Sequence, residues 1–96
     1  MFVIELTYVK PLGEVDKYLS EHVEFLRKQY NAGFFLASGR KVPRSGGMIL
    51  ARADNRKVLE DVLNEDPFRA NGIAMYDITE FVPTMTASEL GFLKQK

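Results

Sequence analysis

The sequence predicts an α+β domain in the order β-α-β-β-α-β, a four-stranded antiparallel sheet with two helices on one face. Three observations predict it. Strand-like alternation opens the chain and returns over 73–82, apolar residues recur at three- and four-residue steps in two separate runs, and a loop rich in proline and glycine splits two central β-like runs.

Phe2, Ile4, Leu6 and Tyr8 alternate with Val3, Glu5, Thr7 and Val9, the periodicity of a strand, which Pro11 and Gly13 end. From about Glu14 the step changes. Val15, Tyr18, Leu19, His22, Phe25, Leu26 and Tyr30 fall on one face of a helix, with Glu21, Glu24, Arg27 and Lys28 on the wetter side. Asn31-Ala32-Gly33 closes that helix with residues that tolerate the left-handed conformation. Two β-like runs follow, 34–42 and 48–53, joined by the hairpin loop Pro43-Arg44-Ser45-Gly46-Gly47. Asp54 or Asn55 caps a second helix whose buried stripe is Val58, Leu59, Val62 and Leu63, and Asp66-Pro67 stops it, since proline disfavours helical geometry in the residue before it. The last strand spans 73–82. Pro83 ends it, and Thr86-Ala87-Ser88-Glu89 starts a short tail helix that ends near Lys94. This order is the ferredoxin-like arrangement.

The strands are apolar on both faces: Ile73, Met75 and Phe81 on one side of the last, Ala74, Tyr76 and Ile78 on the other. A sheet with one wet face alternates cleanly, and two helices cover only one face. A second copy of the chain is the economical cover, giving a homodimer of face-to-face sheets, with partial cover by the tail as the alternative.

Composition narrows the function classes. Ninety-six residues make one domain, with a core over 1–83 and a tail over 84–96. Thirteen basic residues balance thirteen acidic ones, so no net field draws the chain to nucleic acid or an anionic membrane. With no cysteine there is no disulfide, thiolate metal site or cysteine nucleophile. No apolar run approaches the roughly 20 residues of a membrane span, and the first residues lack a basic, apolar, cleavable leader, so the expected compartment is the cytoplasm. An RNA-recognition motif shares this topology, but Met48-Ile49-Leu50-Ala51-Arg52 lacks its stacking aromatics.

His22 is the only histidine, and its place on the apolar stripe admits two readings. It is a general acid or base, because imidazole titrates in the physiological range, or it is a hydrogen-bonded core residue. Asp66 before Pro67 is an ordinary turn or cap residue; as a partner of His22 it would accept one ring N–H and fix the tautomer. In this topology the end of the second helix approaches the first. Ser38, Gly39 and Arg40 end the second strand, where a glycine lets a ligand come close to the backbone and Arg40 offers a charge for an anionic group. Lys41 and Arg44 read as a solvated basic hairpin end. No phosphate-binding loop or nucleophile elbow is present, and one histidine does not make a typical zinc site.

The helix carrying His22 and Phe25-Leu26, then Gly33, Leu36-Ala37-Ser38-Gly39, Asp66-Pro67-Phe68 and Gly72, resembles the YciI-like (YCII-related) family from the first strand to about Pro83. The resemblance implies a dimeric α+β barrel and a pocket centred on a histidine and an aspartate, which carry over to His22 and Asp66 as the catalytic pair. Some relatives are dehydrochlorinases of chlorinated hydroxyquinols, which fits acid–base elimination without metal or cofactor. Relatives often have an arginine three residues before the histidine; here Leu19 stands there, so an anion contact falls to another group such as Arg40. The tail is expected over the pocket or the dimer interface.

Two functions follow. In the first, His22 takes a proton from a small hydroxylated or carbonyl-activated substrate, Asp66 orients it, backbone N–H groups near Gly39, or Arg40, stabilise the developing oxyanion, Ser38 belongs with them to the substrate-binding residues, and Phe25, Phe34, Phe35 and Phe68 wall an aromatic ring. In the second, the same pocket holds a small ligand and no bond changes.

Overall fold

A computed structural model describes residues 1–94. Strand β1 (Phe2–Tyr8) leads into helix α1 (Leu12–Asn31), the hairpin β2 (Phe35–Arg40) and β3 (Gly46–Ala51), helix α2 (Arg56–Leu63), a one-turn helix α3 (Pro67–Ala70) and β4 (Ala74–Glu80). The sheet is antiparallel in the order β2-β3-β1-β4, with β1 and β3 central and β2 and β4 at the edges. The predicted ferredoxin-like α+β fold is the one observed.

Phe2, Ile4 and Leu6 face the helices and are buried against Ile49, Ala51 and Ile78 of the neighbouring strands and Val15, Phe25, Leu59 and Leu63 of the helices. Burial of apolar area at about 25 cal/mol per Å² is what drives these layers together. Helix α1 ends as its residues predict: the Gly33 N–H bonds the Tyr30 carbonyl and the Phe34 N–H bonds the Gln29 carbonyl. Asn55, rather than Asp54, caps α2, its side chain accepting from the Val58 N–H at 3.0 Å.

Four expectations need correction. Asp66-Pro67 does not merely stop α2, which ends at Leu63; Asp66 caps the additional helix α3, with Pro67 in its first turn, where a missing N–H costs nothing. Ile73 lies before β4 and is buried in the helix-side core, not on the opposite face. Gln29 also sits inward on α1 at 2% exposure, a polar residue on a stripe that apolar periodicity alone does not include. The tail forms a 3₁₀ turn over Ser88–Leu93 without a side-chain cap. Its Leu93 is buried and its Phe92 ring lies beneath the Arg52 guanidinium, near Met1. That is the opposite end of β1 from Tyr8.

The helix-free face presents Val3, Glu5 and Thr7 of β1, Met48 and Leu50 of β3 and Met75 and Asp77 of β4. Met75 is 68% exposed and Met48 38%. No helix among the described residues is long and apolar enough to cross a membrane.

Candidate functional site

A backbone irregularity sets the wall of the hollow beside His22. From Phe35, strict alternation would turn Ala37 and Gly39 toward the helices. A bulge between Phe35 and Ala37 shifts the register instead, so that Ser38 pairs with Ile49 and Arg40 with Gly47, both on the helix side. Gly47 carries no side chain where it faces α1. The space left between α1, β2, β3 and α3 is a hollow of about 290 Å³. Leu6, Leu19, Val23, Leu26, Ile49 and Phe68 give it apolar walls, and His22, Tyr8, Ser38 and Arg40 bring polar groups to it.

His22 projects from the middle of α1, and its side chain is 11% exposed. Its ring stacks on Phe68, centroids 4.0 Å apart and planes within 6°. Nδ1 lies 2.8 Å from Asp66 Oδ1. A carboxylate oxygen only accepts, so Nδ1 carries the hydrogen, and in the neutral ring Nε2 is left with the lone pair. No described residue bonds Nε2, and the ring lines the hollow.

Asp66 has no exposed surface. A buried carboxylate is tolerable only when its oxygens are paired. Oδ1 accepts from His22 and, at 3.0 Å, from the Phe68 N–H, while Oδ2 accepts from the Tyr76 hydroxyl. The bond to the Phe68 N–H is the cap of α3, so the same atom that starts the helix also orients the histidine. Gly72, at φ 65°, closes α3 by letting the Ile73 N–H return to the Phe68 carbonyl, which fixes Phe68 under the imidazole. Burial, and then the adjoining Asp66 carboxylate, push the Tyr76 phenol far above its ordinary range, so it stays a donor. Arg69 stands over the Tyr76 ring at 5.3 Å.

The other expected residues fall as follows. Ser38 Oγ is 2.6 Å from the Tyr30 hydroxyl. Gly39 has open space where a Cβ would stand. Arg40 is exposed and makes no ion pair among the described residues, whereas Lys41 pairs with Glu5 at 3.1 Å and Arg44 with Asp16 at 2.5 Å. The hairpin cations are therefore not all simply solvated. Phe68 lines the hollow, but Phe25 and Phe35 are enclosed in the core and Phe34 lines a separate hollow beside Arg52. Aliphatic residues take the place expected of those three rings. No tail residue among the described residues lines the hollow, which was one of the two places expected for the tail, the other being the dimer interface. Tyr76 and Tyr8 were not among the expected residues. Their positions on the inward face of β4 and β1 mark them only as half-buried aromatics, and what reveals them is the hydroxyl at Asp66 and the lining of the hollow. Among the described residues no three His, Cys, Asp or Glu side chains gather where they would hold a metal ion.

Comparison with known proteins agrees with this architecture. The 5-chloro-2-hydroxyhydroquinone dehydrochlorinase TftG of Burkholderia phenoliruptrix AC1100, solved in complex with 2,5-dihydroxybenzoquinone, superposes with a TM-score of 0.71 over 86% of this chain and 95% of its own, at 13% sequence identity. At that identity the likeness is one of fold. No curated protein matches the sequence. The family model of the YCII-related domain matches residues 1–82, and the chain belongs to that family.

Proposed function

We propose that the protein is a cofactor-free acid–base enzyme of the lyase kind, acting on a small hydroxylated or aromatic substrate through His22 and Asp66. One observation carries the reading: a histidine whose Nδ1 is held by a fully buried carboxylate, while its Nε2 has no partner and its ring lines an open hollow. A base needs a lone pair aimed at the substrate and a fixed tautomer behind it. Nε2 takes the proton of a substrate hydroxyl, or of a carbon next to a carbonyl, and the electron pair left behind moves onto oxygen or into a new double bond. In a dehydrochlorination the chloride then leaves with the electron pair of its C–Cl bond, and the sum is loss of HCl. Ser38, Gly39 and Arg40 are the groups for the negative oxygen, Arg40 being the hairpin cation with no ion pair among the described residues. Phe68 stacks on the imidazole and lines the hollow beside it. A hollow of about 290 Å³ suits a single substituted ring. The fold shared with a dehydrochlorinase favours this chemistry over others that a histidine–aspartate pair performs.

We infer further that a second copy covers the helix-free face, since Met48 and Met75 stand exposed beside Val3 and Leu50, and that the homodimer works in the cytoplasm. The test of the enzyme is chloride release from 5-chloro-2-hydroxyhydroquinone across pH 5–9. Turnover that His22→Gln abolishes is the expected result. Saturable binding without turnover by the parent overturns catalysis and leaves a ligand-binding module using the same hollow.

A further inference from the structure

Two tyrosines lie on the helix side of the adjacent strands β1 and β4, and only one has a buried partner for its hydroxyl. Leu6 of β1 pairs with Tyr76 and Tyr8 with Ala74, so Tyr8 and Tyr76 are diagonal neighbours on one face. Tyr76 spends its O–H on Asp66. Tyr8 packs edge-on against Phe68, centroids 6.0 Å apart at 88°, which is the ring that His22 stacks on. His22 and Tyr8 therefore reach the same hollow from two directions, one from α1 and one from the end of β1, with Phe68 fixing both.

The Tyr8 hydroxyl makes no hydrogen bond among the described residues, and its ring lines the hollow. Arg44, on the hairpin loop, donates to Asp16 at 2.5 Å. The Tyr8 backbone is pinned as well, its N–H bonding the Ser45 carbonyl at 2.9 Å, so the ring is anchored to the same loop that carries Arg44. A held phenol with an unspent donor is built to meet an acceptor in the hollow.

We propose that Tyr8 is a substrate-binding residue whose O–H donates to an oxygen on the ligand, across the ring from the position that His22 Nε2 addresses. The inference rests on the proposed use of the His22 hollow and adds a second contact to it. It selects a ligand class: a single ring bearing two oxygens on separate edges, one at the imidazole and one at the phenol, such as a hydroxyquinone or hydroquinone. A ring with one oxygen satisfies only one of the two.

The experiment measures binding of 2,5-dihydroxybenzoquinone by calorimetry to the parent, Tyr8→Phe and His22→Gln, with thermal unfolding of each. Tyr8→Phe keeps the ring on Phe68 and removes only the hydroxyl. The expected result is a loss of about tenfold or more in affinity for Tyr8→Phe, the usual effect of one hydrogen bond to a charged or polarised oxygen, with an unfolding temperature equal to the parent's. Weakened binding by His22→Gln together with parent-like binding by Tyr8→Phe overturns the role of Tyr8 and leaves the His22 hollow as the site. Absence of binding by the folded parent overturns both. A Tyr8→Phe protein that unfolds well below the parent shows that the hydroxyl serves the fold, and this too overturns the inference.

Discussion

Replacing Asp66 by alanine should be far more costly than replacing it by asparagine, and the difference follows from the bonds it makes. The carboxylate has no exposed surface and accepts from His22, the Phe68 N–H and the Tyr76 hydroxyl. Alanine removes the cap of α3, worth about 1 kcal/mol, and leaves the Tyr76 donor and the His22 N–H without a partner, at about 1–3 kcal/mol each. The imidazole borders the hollow, so water restores part of its share, and the total is about 3–4 kcal/mol. Asparagine keeps an oxygen for the Phe68 and His22 N–H groups, and its amide donates to the Tyr76 oxygen after the hydroxyl rotates. That variant should lose about 1 kcal/mol. Urea unfolding of parent, Asp66→Ala and Asp66→Asn at one protein concentration measures both differences. An alanine variant within about 1 kcal/mol of the parent would refute the argument that Asp66 holds three buried donors.

Alkaline pH should expose the role of Tyr76. Its folded value is raised, so above pH ~10 the unfolded chain gives up the phenolic proton and the native protein does not; stability then falls by up to about 1.4 kcal/mol per pH unit. Tyr76→Phe should lack that part of the slope between pH 10 and 11 in denaturant titrations, and an identical slope in both proteins would contradict the assignment. Gly46 is a point of close approach: a Cβ there would stand 1.8 Å from the Leu6 carbonyl oxygen. Gly46→Ala should therefore cost about 3 kcal/mol or more by forcing β1 and β3 apart, and a parent-like unfolding midpoint would show that the strands yield more easily. Light scattering at micromolar concentration should give twice the chain mass of 10.9 kDa, while a value near 10.9 kDa would end the proposal of a second copy on the sheet.

The alternation of Phe2, Ile4 and Leu6, the stripe through Val15, His22 and Phe25, and the glycine after α1 are local signals, and each leads directly to its element. The site was only half visible by such means. Asp66 before Pro67 has the form of any turn, and its partnership with His22 depends on α3, a single turn too short to show periodicity. The bulge in β2 leaves no mark on the alternation of Ala37, Ser38 and Gly39, yet it decides that Ser38 and Arg40 turn toward α1. Phenylalanines were expected as walls because aromatic rings are frequent at such sites, but Phe25 and Phe35 are needed in the core between α1 and β2. Tyr76 enters the sequence reading only as one of the apolar residues of the last strand; its ring packs against the core, and only its hydroxyl belongs to the site.

The central claim is that His22 Nε2 opens onto a hollow that holds a ligand. Diethyl pyrocarbonate tests it directly, because the chain has one histidine and Nδ1 is occupied by Asp66. Mass spectrometry of the peptide carrying His22 should show rapid modification that 2,5-dihydroxybenzoquinone suppresses, and His22→Gln should remain folded within about 1 kcal/mol of the parent. A His22 that resists the reagent in the native protein, together with a strongly destabilised His22→Gln, would make the histidine a core residue and contradict the account.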